Sequence, residues 1–165
     1  MLTKELLDAI LSQYPLSRGG PHGVAHWARV LENGRRLATE TEACLAVVEL
    51  FALFHDSQRF GEGDDPAHGL RGAELAAAFH GTYYDLPPEE FELLFTACEQ
   101  HTEGLTDGDI TLQTCWDADR LDLGRVGIMP MPSRLCTDAA KTPDILVWAI
   151  ERSHDGHAPA LASLL

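Results

Sequence analysis

Apolar residues recur along this chain at three- and four-residue steps, in one stretch after another, and no stretch sustains the alternation of a strand. Thr3 is a good N-cap, and Leu6, Leu7, Ile10 and Leu11 form an amphipathic stripe that stops near Tyr14-Pro15. Residues 16–23, with Gly19-Gly20-Pro21, read as a loop. A second helix is predicted over about residues 24–39, with Trp27, Val30, Leu31, Gly34, Leu37 and Ala38 inward. The most apolar stretch, about residues 42–60, carries Leu45, Val48, Phe51 and Ala52 on a buried helical face. An acidic, glycine-rich turn follows at residues 61–66. His68-Gly69 then opens a helix whose small face, Gly72, Ala73, Ala76 and Ala77, predicts close packing on a neighbour up to Phe79. Pro87-Pro88-Glu89-Glu90 is a strong helix start; Phe91, Leu94, Phe95 and Cys98 continue its stripe, and His101 lies near its end. After a loop at residues 104–109, the helical pattern resumes from Leu112 through Cys115, Trp116, Leu121 and Leu123. Met129-Pro130-Met131-Pro132 interrupts it, and two short helices are predicted at about residues 133–141 and 144–153.

The pattern predicts an all-α protein without internal repeats. We expect one domain over residues 1–165, a single helical bundle with its core at about residues 21–126 and C-terminal helices at about residues 133–155.

The most apolar helix ends in His55-Asp56, which carries an imidazole and a carboxylate into the interior. A buried carboxylate is costly unless it is paired, hydrogen-bonded or bound to a cation. A buried His-Asp pair, or a helix end facing water, would also satisfy it. The same reading picks out His26 upstream, on a face shared with His22 and Arg29, and His68, His101 and the run Asp117-Ala118-Asp119-Arg120-Leu121-Asp122 downstream. His80, beside Gly81, reads as a helix-end residue, and Asp64 and Asp65 as loop acids.

This ordered set, His26, then His55-Asp56, then a closing aspartate, resembles the HD superfamily of metal-dependent phosphohydrolases, over about residues 21–126. It is most similar to the small single-domain bacterial members. The resemblance implies a helical bundle of the HD type and a metal held by His26, His55, Asp56 and one aspartate of Asp117-Ala118-Asp119. Members commonly set the closing aspartate after an alanine, which matches Asp119; Asp117 stays as the alternative. His68 and His101 resemble the extra histidines that two-metal members use for a second ion, sharing Asp56. A substrate phosphate or a structural role would suit them equally. Asp56 and Arg59 are the catalytic candidates; Arg59 stands where many members carry a helper lysine.

Imidazole and carboxylate together suit a divalent transition metal such as Mn, Fe, Co, Ni or Zn, as one ion or two. Such an ion acidifies bound water and polarises a phosphoryl oxygen, which hydrolysis of a phosphate ester requires. Arg29 and Arg120, with His22, are candidate phosphate contacts, since guanidinium forks match phosphate; neutralising neighbouring acids is their alternative role. The expected activity is hydrolysis of a small phosphorylated metabolite or nucleotide. A diiron oxygenase of HD type and a non-catalytic metal- or nucleotide-binding domain are the alternatives.

Composition narrows the partners. Of 165 residues, 26 are Asp or Glu and 12 are Lys or Arg, giving a formal net charge of −14. That excess speaks against a nucleic-acid polymer as partner, since binding one needs a basic surface. Cys44, Cys98, Cys115 and Cys136 are widely spaced and read as buried thiols. Charge at Lys4 and Glu5 comes too early for a secretory signal, and no apolar run reaches membrane-spanning length. A cytoplasmic protein with no membrane partner is expected.

Overall fold

The computed structural model describes residues 2–157 and 159–164. Seven α-helices follow one another among them: α1 (Lys4–Gln13), α2 (Val24–Thr41), α3 (Leu45–Phe54), α4 (His68–Phe79), α5 (Pro88–Gln100), α6 (Ile110–Arg120) and α7 (Pro143–His154). Short 3₁₀ turns lie at Leu123–Val126, Pro132–Arg134 and Leu161–Ser163. No strand forms among the described residues; a lone bridge pairs His80 with Tyr84. No described helix is long and apolar enough to cross a membrane.

The local rules act as the sequence leads one to expect. Thr3 Oγ1 accepts from Leu6 N at 3.1 Å and caps α1. Asp109 accepts from Thr111 N at 2.7 Å and starts α6, two residues before the expected Leu112. Pro88 opens α5. The apolar faces meet in one core: α3 is buried on nearly every side, with α2, α5 and α6 around it, and α4 lies along α5. The result is a single all-helical domain.

Three expectations about elements are corrected. The central helix spans Leu45–Phe54, not residues 42–60. Glu42 takes a left-handed conformation (φ 60°) that ends α2, so Leu45 is the first residue of α3 and is 47% exposed. At the other end Ser57 N and Oγ both turn back to the Phe54 carbonyl, at 3.1 and 2.8 Å, and the chain leaves the helix through tight turns. Phe60 is exposed beneath the Arg71 guanidinium. Ala77 also points to solvent rather than into the small face of α4.

The third correction concerns residues 133–141, which form a 3₁₀ turn followed by irregular turns instead of a helix. The amides of Cys136 and Thr137 are taken by the Asp117 carboxylate, at 2.7 and 2.8 Å. A helix would need those groups for its own ladder.

Two glycines set the packing that matters for the site. A Cβ on Gly72 would meet the Phe54 carbonyl oxygen, and one on Gly69 would lie 2.5 Å from the Cys98 carbonyl oxygen. Their absence lets the first turn of α4 press on the C-terminal ends of α3 and α5 at once. His68, at the head of α4, is thereby brought to the two helix ends that carry His55-Asp56 and His101.

Candidate metal centre

Five helices contribute one end each. His26 lies in the first turn of α2, His55 closes α3 with Asp56 next to it, His68 opens α4, His101 closes α5, and Asp119 stands near the end of α6. All but Asp119 are buried, and the Asp119 side chain is 17% exposed.

The donor atoms form two groups joined by Asp56. In the first, His26 Nε2 lies 3.0 Å from His55 Nε2, 3.4 Å from Asp56 Oδ2 and 3.4 Å from Asp119 Oδ1. His55 Nε2 is 3.7 Å from Asp56 Oδ2 and 3.8 Å from Asp119 Oδ1. In the second, Asp56 Oδ1 is 3.1 Å from His68 Nε2 and 3.7 Å from His101 Nε2, and those two nitrogens are 3.0 Å apart. Asp56 thus offers one oxygen to each group. Within His26-His55-Asp56, and within Asp56-His68-His101, the donor atoms lie within 4.8 Å of one another, close enough for one ion per group.

The other nitrogen of each ring fixes its tautomer. His26 Nδ1 donates to Asp122 Oδ2 at 2.7 Å, His55 Nδ1 to the Phe51 carbonyl at 3.1 Å, His68 Nδ1 to the Asp65 carbonyl at 2.5 Å, and His101 Nδ1 to the Cys98 carbonyl at 2.7 Å. These acceptors have no proton to give back, so each Nδ1 carries the hydrogen and each neutral ring turns an Nε2 lone pair inward. Two lone pairs 3.0 Å apart, with two carboxylates alongside, repel unless a cation stands among them. Beside the second pair Arg59 Nη1 already stands 3.1 Å from His68 Nε2; at the first pair a proton or a metal ion meets that need. Imidazole nitrogens oriented from behind by oxygen acceptors are the usual support of metal ligands. The residues present therefore fit a divalent transition metal, which the His/Asp donor set also suits.

The electrostatics agree. Burial opposes charge on His26, as does Arg125, but the carboxylates of Asp119, Asp122 and Asp56 outweigh both and raise its pKa to about 9. Burial dominates at His55 and lowers it to about 3, so that ring stays neutral. For Asp56, burial favours the acid, but the imidazoles of His55, His101, His26 and His68 hold it well below the usual carboxylate range. Asp119 is lowered for the same kind of reason, against burial, chiefly by His26 and His55. His101 is raised against burial by the Asp56 and Asp119 carboxylates and the Cys98 carbonyl. Metal-free, these shifts favour ionised Asp56 and Asp119 and a protonated His26 beside a neutral His55.

The remaining candidates fall in different places. Asp117, the alternative closing ligand, is turned away from the imidazoles: Oδ1 accepts from Cys136 N, and Oδ2 from Thr137 N and Thr137 Oγ1. Arg29 does not face an open site. Its Nε donates to Asp122 Oδ1 at 2.6 Å and Nη1 to the His157 carbonyl at 2.8 Å, so it holds the carboxylate that orients His26. His22 is half-buried and paired through Nδ1 with Glu62 Oε2 at 2.5 Å, its ring 6.4 Å from that of His26. Arg59 is buried beside the second group, with Nη1 3.6 Å from Asp56 Oδ1 and 3.1 Å from His68 Nε2, and is tied to the carbonyls of Gly61 and Gly63. Arg120 is anchored through Nη1 to the Arg134 carbonyl at 2.9 Å.

Asp122 is the functional residue that the sequence pattern leaves unassigned. It stands in the quoted Asp-rich run, yet only the structure shows that it faces His26 rather than the metal position. The carbonyl partners of His55 and His101 carry a readable signal, because each sits one turn earlier on the same helix.

Two openings reach the cluster. A cavity of about 490 Å³ has His101 and Arg120 in its wall, and a smaller one of about 340 Å³ has Arg59 and His68. Comparison with protein-family models, curated proteins and solved structures found no match for this chain.

Proposed function

We propose that this chain is a metal-dependent phosphohydrolase of the HD type, acting on a small phosphorylated metabolite or nucleotide. The observation that carries the reading is the set of four imidazoles, each anchored through Nδ1, whose Nε2 atoms converge in two pairs on one shared carboxylate. His26, His55, Asp56 and Asp119 would hold one ion, and Asp56, His68 and His101 a second. A bound divalent metal supplies acidified water and a Lewis acid for a phosphoryl oxygen.

The chain's own residues do the positioning. Asp122, braced by Arg29, keeps His26 in the tautomer that presents Nε2. Arg59 supplies a fixed guanidinium in the wall of the smaller opening, where a phosphoryl oxygen next to Asp56 would meet it. The two openings and the partly exposed Asp119 favour a site that admits substrate over a closed structural shell. A net charge of −14 suits a small substrate drawn in by local cations rather than a nucleic-acid polymer. A cytoplasmic setting without a membrane partner completes the proposal.

Metal analysis of the protein as purified, followed by a phosphatase screen with added Mn, Fe, Co, Ni and Zn, tests it. Bound metal together with turnover of at least one phosphoester is the expected result. Metal content near zero, with no activity under any metal, would remove the reading.

The shared Asp56 also favours a second reading, since a carboxylate between two histidine groups suits a pair of iron ions. An HD-type diiron oxygenase would consume O₂ and give a mixed-valent iron signal. Bound metal without either activity would point to a non-catalytic binding domain.

A further inference from the structure

The larger cavity has a composition that metal binding does not account for. Its wall includes His101 on the side of the cluster and then Leu123, Ile128, Met131 and Leu135, with Arg120 among them. Its volume, about 490 Å³, is in the range of small-molecule sites, which are mostly apolar with a few placed polar groups. Two further observations stand beside it. Ile128, Met129 and Met131 are each 52% exposed on the loop at its edge, so this loop presents apolar side chains that the fold does not use. Arg120 is buried, yet its Nη2 has no hydrogen-bond partner among the described residues, although Nη1 is held by the Arg134 carbonyl and Cys136 Sγ. A buried guanidinium donor without an acceptor is costly, and an oxygen brought by a ligand would relieve that cost.

We propose that this cavity holds the organic part of the substrate, and that the part it fits is an apolar or aromatic group bearing a carboxylate or carbonyl oxygen for Arg120. Its role as a substrate pocket rests on the phosphohydrolase reading; the binding does not. His101 links the two regions, so a ligand seated on Leu123, Ile128 and Met131 has its far end at the second His/Asp group. Met side chains adapt their shape to flat or branched groups, which suits an aromatic occupant. The preferred substrates are accordingly aryl or branched-chain phosphoesters rather than small polar ones such as glycerol phosphate.

The test is a fluorescence titration of the protein as purified with 1-naphthoate, an aromatic carboxylate that carries no phosphoester. Saturable binding of one molecule per chain is expected. Arg120→Met should weaken it about tenfold or more, as loss of a charge-assisted hydrogen bond does, with metal content unchanged. Met131→Asp should weaken it comparably; the residue is exposed, so this variant serves if Arg120→Met fails to fold. No saturable binding, or binding untouched by Met131→Asp, overturns the proposal. A carboxylate held by the metal instead would ignore both substitutions and vanish with a chelator, which also overturns it. If Met131→Asp turns a dimer into a monomer and leaves 1-naphthoate binding intact, the loop is an interface between copies and the proposal falls. Turnover of p-nitrophenyl phosphate without 1-naphthoate binding sinks the cavity assignment alone. Binding without turnover of any phosphoester sinks the hydrolase reading alone.

Discussion

Asp122 Oδ2 accepts the Nδ1 hydrogen of His26 at 2.7 Å, while Oδ1 of the same carboxylate takes Arg29 Nε at 2.6 Å. The carboxylate therefore does two things: it fixes the imidazole in one tautomer, and it raises the basicity of the nitrogen that faces the cluster. Asp122→Asn keeps the shape but loses the charge, and its amide can present NH₂ to the ring in place of an acceptor. We expect metal affinity to fall about 10- to 100-fold, with helix content by circular dichroism retained. Metal titration with a chromophoric chelator reads it, and an affinity within about twofold of the unmutated protein would refute the orienting role.

Proton competition should set the pH dependence of metal binding. His26 binds a proton with its pKa raised to about 9, so at neutral pH the metal must displace one. Affinity should rise with pH up to about 9, roughly tenfold per unit for one displaced proton. His55, lowered to about 3, adds nothing to that slope. The metal-free fold responds in the opposite sense. A raised folded-state pKa contributes stability that is complete below the unfolded value of about 6.5 and is lost as pH climbs through about 9. Calorimetry in buffers of different ionisation enthalpy measures the released proton directly. No proton release at pH 7 would contradict the charge state assigned to His26.

The two groups should not bind metal equally. Arg59 Nη1 stands 3.1 Å from His68 Nε2 and 3.6 Å from Asp56 Oδ1, so the second group already has a cation beside it. Among the described residues no guanidinium is hydrogen-bonded to His26 or His55; Arg125 acts on His26 without touching it. Two positive charges a few ångströms apart repel, by more in a buried site than in water. The first ion is expected to bind more tightly than the second, and Arg59→Met should strengthen the second by about tenfold or more while leaving the first nearly unchanged. Equilibrium dialysis resolves the two steps. Equal, Arg59-independent affinities would show that the guanidinium does not touch the second position.

How much of this was readable from the residues differs from element to element. The apolar periods predict the helices because burial drives both, and α2 and α4 begin where the pattern changes. Residues 133–141 escaped because their amides bond a distant carboxylate, Asp117, which no local pattern records. The donors were legible as residue types in helical contexts. What each faces depends on helix phase near an end, where a turn of one residue swings a side chain by about 100°. For that reason Arg29 reads as a phosphate contact in sequence and turns out to brace Asp122. The pairing of His68 with His101 depends on Gly69 and Gly72 letting α4 come close, a contact between segments far apart in the chain.

The two aspartates of Asp117-Ala118-Asp119 separate most clearly by which property each substitution changes. Asp119 Oδ1 faces His26 Nε2 and His55 Nε2 at 3.4 and 3.8 Å, and among the described residues its partly exposed side chain accepts from no backbone amide. Asp117 is fully buried and accepts from Cys136 N, Thr137 N and Thr137 Oγ1. Asp119→Asn should weaken metal binding and suppress any phosphatase activity by orders of magnitude, because the amide loses the charge that balances the cation. Its melting temperature without metal should fall, because the attraction of His26 and His55 for the carboxylate is lost, but by less than in Asp117→Asn, since no backbone amide loses its acceptor. Asp117→Asn replaces one acceptor oxygen with an NH₂ that faces two backbone donors or a hydroxyl. It should cost about 2 kcal/mol or more of stability, loosening residues 135–140, and should reach metal affinity only through that loosening. Urea unfolding and metal titration on both variants decide the matter. If Asp117→Asn abolishes metal binding at unchanged stability while Asp119→Asn does not, the roles are reversed. If Asp119→Asn binds metal normally, His26, His55 and Asp56 must be completed from elsewhere, and His101 is the nearest remaining imidazole, its ring centroid 5.3 Å from that of His55.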